Sequence, residues 1–219
     1  MKKFLLACLL AIAPVAYAEP RIEFGLGYAQ GHKMPDNTWY QKGFPYSMDL
    51  RSASWSLGVT DDITPTLRYH VKYVAFGVAK TDALATPVDD NFLAGATPPC
   101  KGECVAVSRF VGSGRSDGIA AMLEKHTTGE IEYGVSGGLF VFQPTWDVTV
   151  YNWKQRAEDP GITIQHSIKK NIVVRPVVGF NVRKGDWDFR VEHYFNKAFS
   201  SAETGVVKST TNVSVVYRF

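Results

Sequence analysis

The sequence is poor in three features that would assign it quickly to a class: cysteine, net charge and long apolar runs. It has three cysteines in 219 residues, and 24 basic side chains stand against 21 acidic ones. So small an excess of positive charge gives no reason to expect nucleic acid as a partner. After the N-terminal segment, no apolar run is long enough to form a membrane-spanning helix. If the mature chain crosses a membrane, it must do so as a closed β-barrel, in which every backbone polar group is paired.

The N-terminal residues have the pattern of a secretory signal peptide. Lys2 and Lys3 precede an apolar segment, residues 4–15, which is followed by Ala-Tyr-Ala at 16–18, a cleavage site of the Ala-x-Ala type. The apolar segment is too short to anchor the chain in a bilayer as a helix. We therefore expect residues 1–18 to be removed and residues 19–219 to form the mature domain.

Cleavage would leave two cysteines, Cys100 and Cys104, close together in the sequence. In an oxidising export compartment, such a pair predicts a disulfide that closes a small loop. A metal site would need further ligands nearby, and the five histidines are widely dispersed. We therefore expect neither a metal nor another cofactor.

Apolar and polar residues alternate with a period of two along most of the mature chain, which predicts β-strands with one apolar face. In the last strand, Val213, Val215 and Tyr217 share one face, while Ser214 and Arg218 lie on the other. The same pattern predicts eight strands, at residues 21–31, 48–60, 66–78, 117–126, 130–143, 170–182, 187–199 and 207–219.

The predicted connections alternate between short and mostly longer segments. The short turns are residues 61–65, 127–129 and 183–186, and the other connections are 31–47, 80–115, 144–169 and 200–205. This pattern predicts an all-β fold, an eight-stranded antiparallel transmembrane β-barrel with short turns at one end.

Two segments call for local interpretations. Pro176 lies inside the sixth predicted strand, where it cannot donate a ladder hydrogen bond, so we expect a β-bulge there. Segment 144–169 alternates on both sides of a turn signal, which predicts a hairpin that extends strands five and six beyond the membrane. The hairpin could offer its edge to a partner strand, or it could simply lengthen the barrel wall.

The predicted strands carry apolar residues on one face and most of their charges on the other. We expect the apolar faces to contact lipid and the opposite faces to line the lumen. A soluble barrel of the lipocalin type is the alternative, and it would turn the apolar faces inward. Five acidic and five basic side chains fall on the lumenal face: Glu23, Glu124, Glu132, Asp188, Glu192, Arg68, Lys72, Arg175, Arg190 and Arg218.

Equal numbers of lumenal acids and bases predict a plug of salt bridges, because unpaired charges in a narrow, partly dry interior would be costly. His70, between Arg68 and Lys72 on the same face, is expected to join this plug. An eight-stranded barrel has an interior only wide enough for its own side chains. We therefore expect no general diffusion pore, and a gated narrow channel remains an alternative.

The final strand ends on an aromatic residue, Phe219, two positions after Tyr217. Together with the signal peptide, the alternating strands and the short turns, this ending resembles small outer-membrane proteins of the OmpA/OmpX/Ail type. The resemblance implies a monomeric barrel in the bacterial outer membrane, in contact with lipid and lipopolysaccharide. It further implies that the barrel-assembly machinery recognises Tyr217 and Phe219, and that surface loops serve adhesion, host-surface or envelope-integrity roles. The fold alone does not select among these roles.

A second resemblance is local. Residues 190–198 resemble the His-x-Ser-Asn segment of the PagL-type lipid A deacylases, which also lies on the penultimate strand. The resemblance implies that His193 would be the base, near the outer leaflet. Phe195, however, occupies the position of the family's serine, and it cannot attack an ester. The remaining candidates for a nucleophile and an orienting acid are Ser200, Ser201 and Glu203.

We therefore interpret the chain as a non-enzymatic outer-membrane barrel that displays loops 80–115 and 144–169 to an extracellular ligand. The alternatives are a lipid A acyl-ester hydrolase, or a catalytically inactive relative of one, and a narrow channel. The three hypotheses differ in what they predict: binding lost on loop deletion, altered lipid A that depends on His193, or conductance sensitive to Arg68 or Glu132.

Overall fold

The computed structural model describes residues 20–33, 45–85, 107–154, 160–169, 171–196 and 207–219, with the side chains of Lys33, Ala85 and Ile168 excepted. The predicted signal peptide and the cysteines of the predicted disulfide lie outside these residues. Within them, no helix is long and apolar enough to cross a membrane.

Thirteen strands account for most of the described residues. They are β1 (Arg21–Lys33), β2 (Tyr46–Asp49), β3 (Arg51–Thr64), β4 (Leu67–Ala75), β5 (Ala79–Ala85), β6 (Ser108–Arg115), β7 (Gly118–His126), β8 (Ile131–Phe142), β9 (Thr145–Trp153), β10 (Ile162–Lys169), β11 (Val173–Lys184), β12 (Trp187–Tyr194) and β13 (Val207–Arg218). They divide between two antiparallel sheets.

Eight strands close into a barrel in the order β1, β13, β12, β11, β8, β7, β4 and β3. Closure depends on β1, which pairs with β13 on one side and with β3 on the other. Each of the eight predicted strands overlaps one barrel strand, so the predicted fold class is confirmed. The closed barrel is the architecture that the OmpA/OmpX/Ail resemblance implies.

The tight turns between described strands lie at one rim of the barrel, called the short-turn rim below. The opposite rim is called the outer rim. The ends of the described chain, Pro20 and Phe219, also lie at the short-turn rim. There the backbone N–H of Phe219 donates to the carbonyl of Ile22 at 2.9 Å, and that of Arg218 donates to Asp186 at 3.0 Å. The first bond ties the last strand to the first at the seam of the barrel, and the second ties the last strand to the turn between β11 and β12.

The other five strands form a second sheet, called the extension sheet, in the order β10, β9, β6, β5 and β2. Each is separated from a barrel strand by one to three residues, and their order repeats that of β11, β8, β7, β4 and β3 in the wall. The β9–β10 hairpin confirms the predicted extension of the wall. The predicted loop 80–115 instead contains β5 and β6, because the neighbouring wall strands continue beside them and supply backbone partners.

The link between β4 and β5 shows how the wall turns into the extension sheet. Gly77 has a φ of 77°. A Cβ at this position would lie 2.8 Å from the carbonyl oxygen of Ala53, so both the backbone and the space require glycine. The neighbouring N–H of Phe76 donates at 3.1 Å to Asp117, which lies in the link between β6 and β7.

Pro176 produces no β-bulge, so that prediction is wrong. The register of β11 against β8 is continuous from Val173 to Lys184, with Pro176 opposite Leu139. On the other side, the carbonyl of Pro176 accepts from the N–H of Phe195 at 3.1 Å, one residue beyond the end of β12. The missing proline N–H therefore faces the place where the β12 ladder stops, and no bulge is needed to accommodate it.

Apolar side chains form a belt around the outside of the barrel. Eight of them are more than half exposed: Ile22, Leu26, Ile119, Leu123, Tyr133, Val135, Leu139 and Trp187. Aromatic clusters flank the belt, with Trp187, Tyr217 and Phe219 in successive contact at 4.9 Å between ring centroids. An outward-facing apolar belt with aromatic girdles is characteristic of a transmembrane barrel. The lipocalin-type alternative is wrong, since the apolar faces point outward.

Candidate functional site

The lumen contains a charged layer toward the short-turn rim and an apolar layer toward the outer rim. At the centre of the charged layer, Arg190 donates to both carboxylate oxygens of Glu23, at 2.9 and 2.7 Å, and to Asp188 at 2.9 Å. The amide of Asn181 donates to the second oxygen of Asp188 at 3.2 Å. Every carboxylate oxygen of this buried group therefore has a donor, which offsets the cost of removing the charges from water.

His70 joins this group to a second one. Its Nδ1 lies 3.2 Å from Oε2 of Glu23, and its Nε2 lies 2.8 Å from Oε2 of Glu124. Any proton on either ring nitrogen thus has a carboxylate acceptor. Because the three side chains come from β1, β4 and β7, the imidazole links separate strands inside the lumen.

Arg68 is the second centre of positive charge. It donates to Glu124 at 3.0 Å and lies 2.6 Å from Asp62 and 3.5 Å from Glu132. Arg183 also forms an ion pair with Glu132. These contacts carry the charged layer from the middle of the lumen to the short-turn rim.

Tyr194 connects the charged layer to the apolar one. Its hydroxyl donates at 2.8 Å to Glu192, which also forms an ion pair with Lys72. Its ring packs edge-on against Phe76 and Phe140, with centroids 4.7 and 4.9 Å away. The side chains that form the apolar layer are Ala29, Val74, Phe76, Ala120, Met122, Phe140, Phe142, Val173, Val177 and Tyr194.

Of the ten charged side chains predicted to face the lumen, nine are buried and Glu132 is partly exposed. Eight take part in ion pairs with one another, and Arg175 and Arg218 do not. Arg175 donates to the carbonyl of Asn196 at 3.2 Å, and Arg218 donates to that of Gly185 at 2.8 Å. Arg175 lies at the level of the apolar layer and Arg218 at the rim, where backbone carbonyls are the acceptors in reach.

The charged layer also includes side chains that the sequence analysis missed: Asp62, His126, Asn181 and Arg183. Asp62 and Arg183 fall in predicted turns, but β3 and β11 extend to Thr64 and Lys184. Asn181 is uncharged, so it was not among the charged residues predicted to face the lumen. The alternation of inward and outward residues is the signal that could have found them.

The packing of the two layers leaves little free space. The gap between His70, Asn181 and Glu192 is too small to admit a water molecule. A wider cavity, of about 430 Å³, opens at the short-turn rim beside Arg68 and Arg218. The described lumen is therefore wide at this rim and narrow at the level of His70.

His193 lies on the outer surface near the outer rim. Its Nδ1 is 3.0 Å from Oγ1 of Thr211 on the adjacent strand β13. Phe195 packs edge-on against the imidazole, with centroids 4.6 Å apart. The other candidates for hydrolysis, Ser200, Ser201 and Glu203, lie outside the described residues. The hydroxyl group beside His193 is thus that of Thr211. Thr211 lies on the adjacent strand, whereas the nucleophiles predicted from the sequence, Ser200 and Ser201, closely follow His193 in the chain.

The extension sheet has a hydrophobic cluster on one face, formed by Phe110, Val148, Val150 and Trp153. On the other face, register places Ser113, Asp147 and Ser167 in one row across β6, β9 and β10. Ser167 donates to Asp147 at 2.6 Å.

An exposed ion pair lies on the same polar face of the extension sheet. The guanidinium of Arg109 donates to both oxygens of Asp82, at 2.9 and 2.5 Å. These hydrogen bonds lower the pKa of Asp82, although burial acts in the opposite direction. The charges of this ion pair therefore persist throughout the neutral pH range.

No family model and no curated protein matches this chain. Among solved structures, similarity is found to Ail, the attachment invasion locus protein of Yersinia pestis, alone and in complex with the heparin analogue sucrose octasulfate. Both matches have a TM-score of 0.48 and 12% identity, and they cover 92% of this chain and 100% of that chain. The translocator domain of the autotransporter NalP from Neisseria meningitidis has a TM-score of 0.26 and 12% identity, over 100% of this chain and 95% of that chain.

Proposed function

We propose that this chain is an outer-membrane barrel, closed to transport, that displays the extension sheet as a binding surface for an extracellular ligand. The observation that carries the proposal is the continuation of five wall strands past the outer rim as a sheet with its own hydrophobic cluster. A barrel that only had to span the bilayer would not need this second sheet. The proposal replaces the predicted display of loops by the display of an ordered surface.

The arrangement of the two rims supports the bacterial outer membrane as the location. Short turns at one rim, a long extension at the other and an apolar belt between them are the features of barrels in that membrane. On this proposal, the short-turn rim faces the periplasm and the extension sheet faces outward, above lipopolysaccharide, with the barrel as a monomer. Tyr217 and Phe219 are outward on the closing strand, where the barrel-assembly machinery would reach them; Phe219 is 70% exposed.

The contents of the lumen support a plug rather than a channel. An ion would have to pass the side chains around His70, where there is no room for water, and then the apolar layer around Phe140. Opening a path would break ion pairs such as Glu23–Arg190 and leave buried charges without partners. Such a cost favours a static interior over a gated one.

The polar face of the extension sheet supports binding through hydrogen bonds and charge. Alternate residues of adjacent strands bring polar groups to one face of the sheet, such as the hydroxyls and carboxylate of the row Ser113, Asp147 and Ser167. Near the barrel, Arg115 and Lys169 flank Thr145 in the next row, and both are exposed. A sheet face with groups of both signs suits an extended polar ligand such as a polypeptide or a glycan.

The test is binding of cells that express the protein to panels of immobilised host glycoproteins and glycans. The sheet variant combines Ser113→Lys, Asp147→Lys and Ser167→Lys, and we expect it to lose about tenfold or more of the binding. The matched control combines Arg21→Ala and Lys184→Ala at the short-turn rim, and it should bind like wild type. Equal binding by all three, at equal surface levels, would show that the extension sheet is not the binding surface.

A lipid A acyl-ester hydrolase remains a second candidate, favoured by the hydrogen bond between His193 and Thr211. A base within reach of a hydroxyl is the first requirement for nucleophilic attack on an ester. Mass spectrometry of lipid A from cells expressing wild type, His193→Ala or Thr211→Val tests it. An acyl chain lost with wild type and retained with both variants would establish the enzyme; unchanged lipid A with all three would exclude it.

A further inference from the structure

Two histidines on the outer surface of the barrel converge on one hydroxyl group. Nε2 of His32 lies 2.9 Å from Oγ1 of Thr211, and Nδ1 of His193 lies 3.0 Å from the same oxygen. The two imidazole centroids are 5.8 Å apart. A threonine hydroxyl has one proton, so it can donate to only one of the two nitrogens and must accept from the other.

The β-ladder holds these side chains together. His193 pairs directly with Thr211 across β12 and β13, while His32 pairs with Ser209, two positions away on β13. Directly opposed and diagonal neighbours on one face of a sheet lie about 5 and 7–8 Å apart. Two imidazoles at such positions can reach a common point without any change in the backbone.

The cluster also lies where ions from solvent can reach it. Tyr28, Val213 and Val191 form the adjacent row toward the membrane midplane, and they belong to the apolar belt. Above that row, His32 is exposed and His193 is partly exposed. The pair therefore stands at the boundary between the belt and the outer aqueous phase.

We propose that His32 and His193 together bind a divalent transition metal ion, Cu²⁺ most tightly, with Thr211 and water completing its coordination. Imidazole nitrogens lie about 2.0–2.1 Å from such ions, so two ligand atoms at right angles around one ion are about 2.9 Å apart. The nitrogen–oxygen distances of 2.9 and 3.0 Å match this spacing. Among first-row divalent ions, nitrogen ligands of this kind bind Cu²⁺ most strongly.

Among the described residues, the site is open rather than enclosed. The described residues contain no group of three or more His, Cys, Asp or Glu side chains that could hold a metal. Two imidazoles are therefore the strong donors, and water fills the remaining positions. The edge-on contact of Phe195 with His193, at 4.6 Å, limits rotation of that ring. These features point to an exchangeable ion and not to a structural one.

The experiment is a titration of the untagged, folded protein in detergent micelles with Cu²⁺, followed by electron paramagnetic resonance. We expect one bound ion per chain with hyperfine coupling to two imidazole nitrogens. His32→Ala and His193→Ala should each leave one coupled nitrogen and weaken binding about tenfold or more. Thr211→Val should keep both nitrogens, because it retains both imidazoles.

His166→Ala is the matched control, since His166 lies on β10 in the extension sheet. It should bind Cu²⁺ like wild type, and heat-modifiable migration in electrophoresis should show that every variant is folded. A two-nitrogen signal that survives in the double variant of His32 and His193, or that is lost with His166→Ala, would place the ion elsewhere and overturn the proposal. Absence of stoichiometric Cu²⁺ binding by the wild type would overturn it as well.

Discussion

At the scale of single residues, buried charge dominates the energetics of the lumen. Arg190 serves two carboxylates at once, and its fixed fork of donors matches the two oxygens of Glu23. A lysine would present a single ammonium group and could not make the paired bonds. The identity of this residue therefore follows from the geometry of its partners.

The first prediction concerns Arg190→Met, which keeps volume and removes the charge. Glu23 and Asp188 would be left buried with fewer partners, so we expect the free energy of unfolding to fall by about 3–5 kcal/mol. Urea unfolding of the barrel in lipid vesicles measures it. Arg21→Ala is the control, because the ion pair of Arg21 with Asp186 is exposed, with 3.7 Å between Nη1 and Oδ1. This substitution should lower the free energy of unfolding by less than about 1 kcal/mol. Similar losses for both variants would contradict the role given to the buried pair.

Two adjacent glycines on β8 provide a matched test of close packing. A Cβ on Gly138 would lie 2.0 Å from the carbonyl oxygen of Ala121, whereas one on Gly137 would meet nothing within 4 Å. We expect Gly138→Ala to lose more than about 2 kcal/mol, since backbone would have to move. Gly137→Ala should be neutral or stabilise by up to about 1 kcal/mol through reduced entropy of the unfolded chain. The same unfolding assay decides, and equal effects would contradict the packing argument.

Asp117, in the link between β6 and β7, predicts a pH dependence. Burial raises the pKa of its carboxyl, and the N–H of Phe76 and the charge of Arg115 oppose this only in part. The folded state therefore binds a proton more readily than the unfolded state, so stability increases as the pH falls through the raised pKa. Asp117→Asn keeps an acceptor for Phe76 and removes this dependence.

We expect wild type to gain stability relative to Asp117→Asn as the pH falls from 7 to 4. Unfolding of both proteins at the two pH values measures the difference. A wild type that instead loses stability relative to the variant would show that the carboxylate is stabilised in the fold. The exposed pair Asp82–Arg109 should have the opposite effect on stability: because the pKa of Asp82 is lowered, its contribution to stability is lost as the pH falls through that pKa.

At the scale of elements, the barrel and the extension sheet have separate hydrophobic clusters, one in the lumen and one on the sheet. No hydrophobic cluster of the described residues spans both. This separation predicts that a substitution in one cluster destabilises only the sheet to which that cluster belongs.

Phe110→Ala tests this separation. The Phe110 side chain is fully buried in the cluster of the extension sheet, and its loss should destabilise that sheet by about 3–5 kcal/mol. We expect faster hydrogen exchange in β5, β6 and β9 with unchanged protection of the barrel strands. Phe140→Ala in the lumen should show the reverse pattern. Loss of protection in both sheets from either change would mean that they unfold as one unit.

At the scale of the whole molecule, the proposed plug of the lumen and the apolar belt together predict a protein that inserts into membranes without making them leaky. We expect vesicles that contain the protein to show ion flux no higher than empty vesicles, because both lumenal layers would have to open. Planar-bilayer recordings of wild type, Arg68→Ala and Glu132→Ala provide the measurement. A stable conductance that changes with either substitution would favour the narrow channel.

The outer surface adds a second property of the whole molecule. The belt, the histidine pair at its upper edge and the polar face of the extension sheet follow one another along the barrel axis. On the two proposals above, lipid, a metal ion and an extracellular ligand would each meet a different level of the same wall, and binding at one level would not require the lumen to change.

Much of this protein was determined by its sequence alone. Alternation with a period of two is a local property, and it placed the eight wall strands, the outward belt and the inward positions of residues such as Glu23 and Arg190. It did not show every point where a wall strand ends and the extension sheet begins, because the predicted strand 48–60 runs across Leu50, the link between β2 and β3.

Tertiary structure decided which side chains meet. Strand register and closure of the barrel brought Arg190 of β12 to Glu23 of β1, and His32 of β1 to His193 of β12, although these pairs are far apart in the chain. They also removed the need for a bulge at Pro176, since the adjacent ladder ends there. Which face a residue takes depends on its immediate neighbours in sequence, whereas its partner depends on the alignment of strands that only the closed barrel sets.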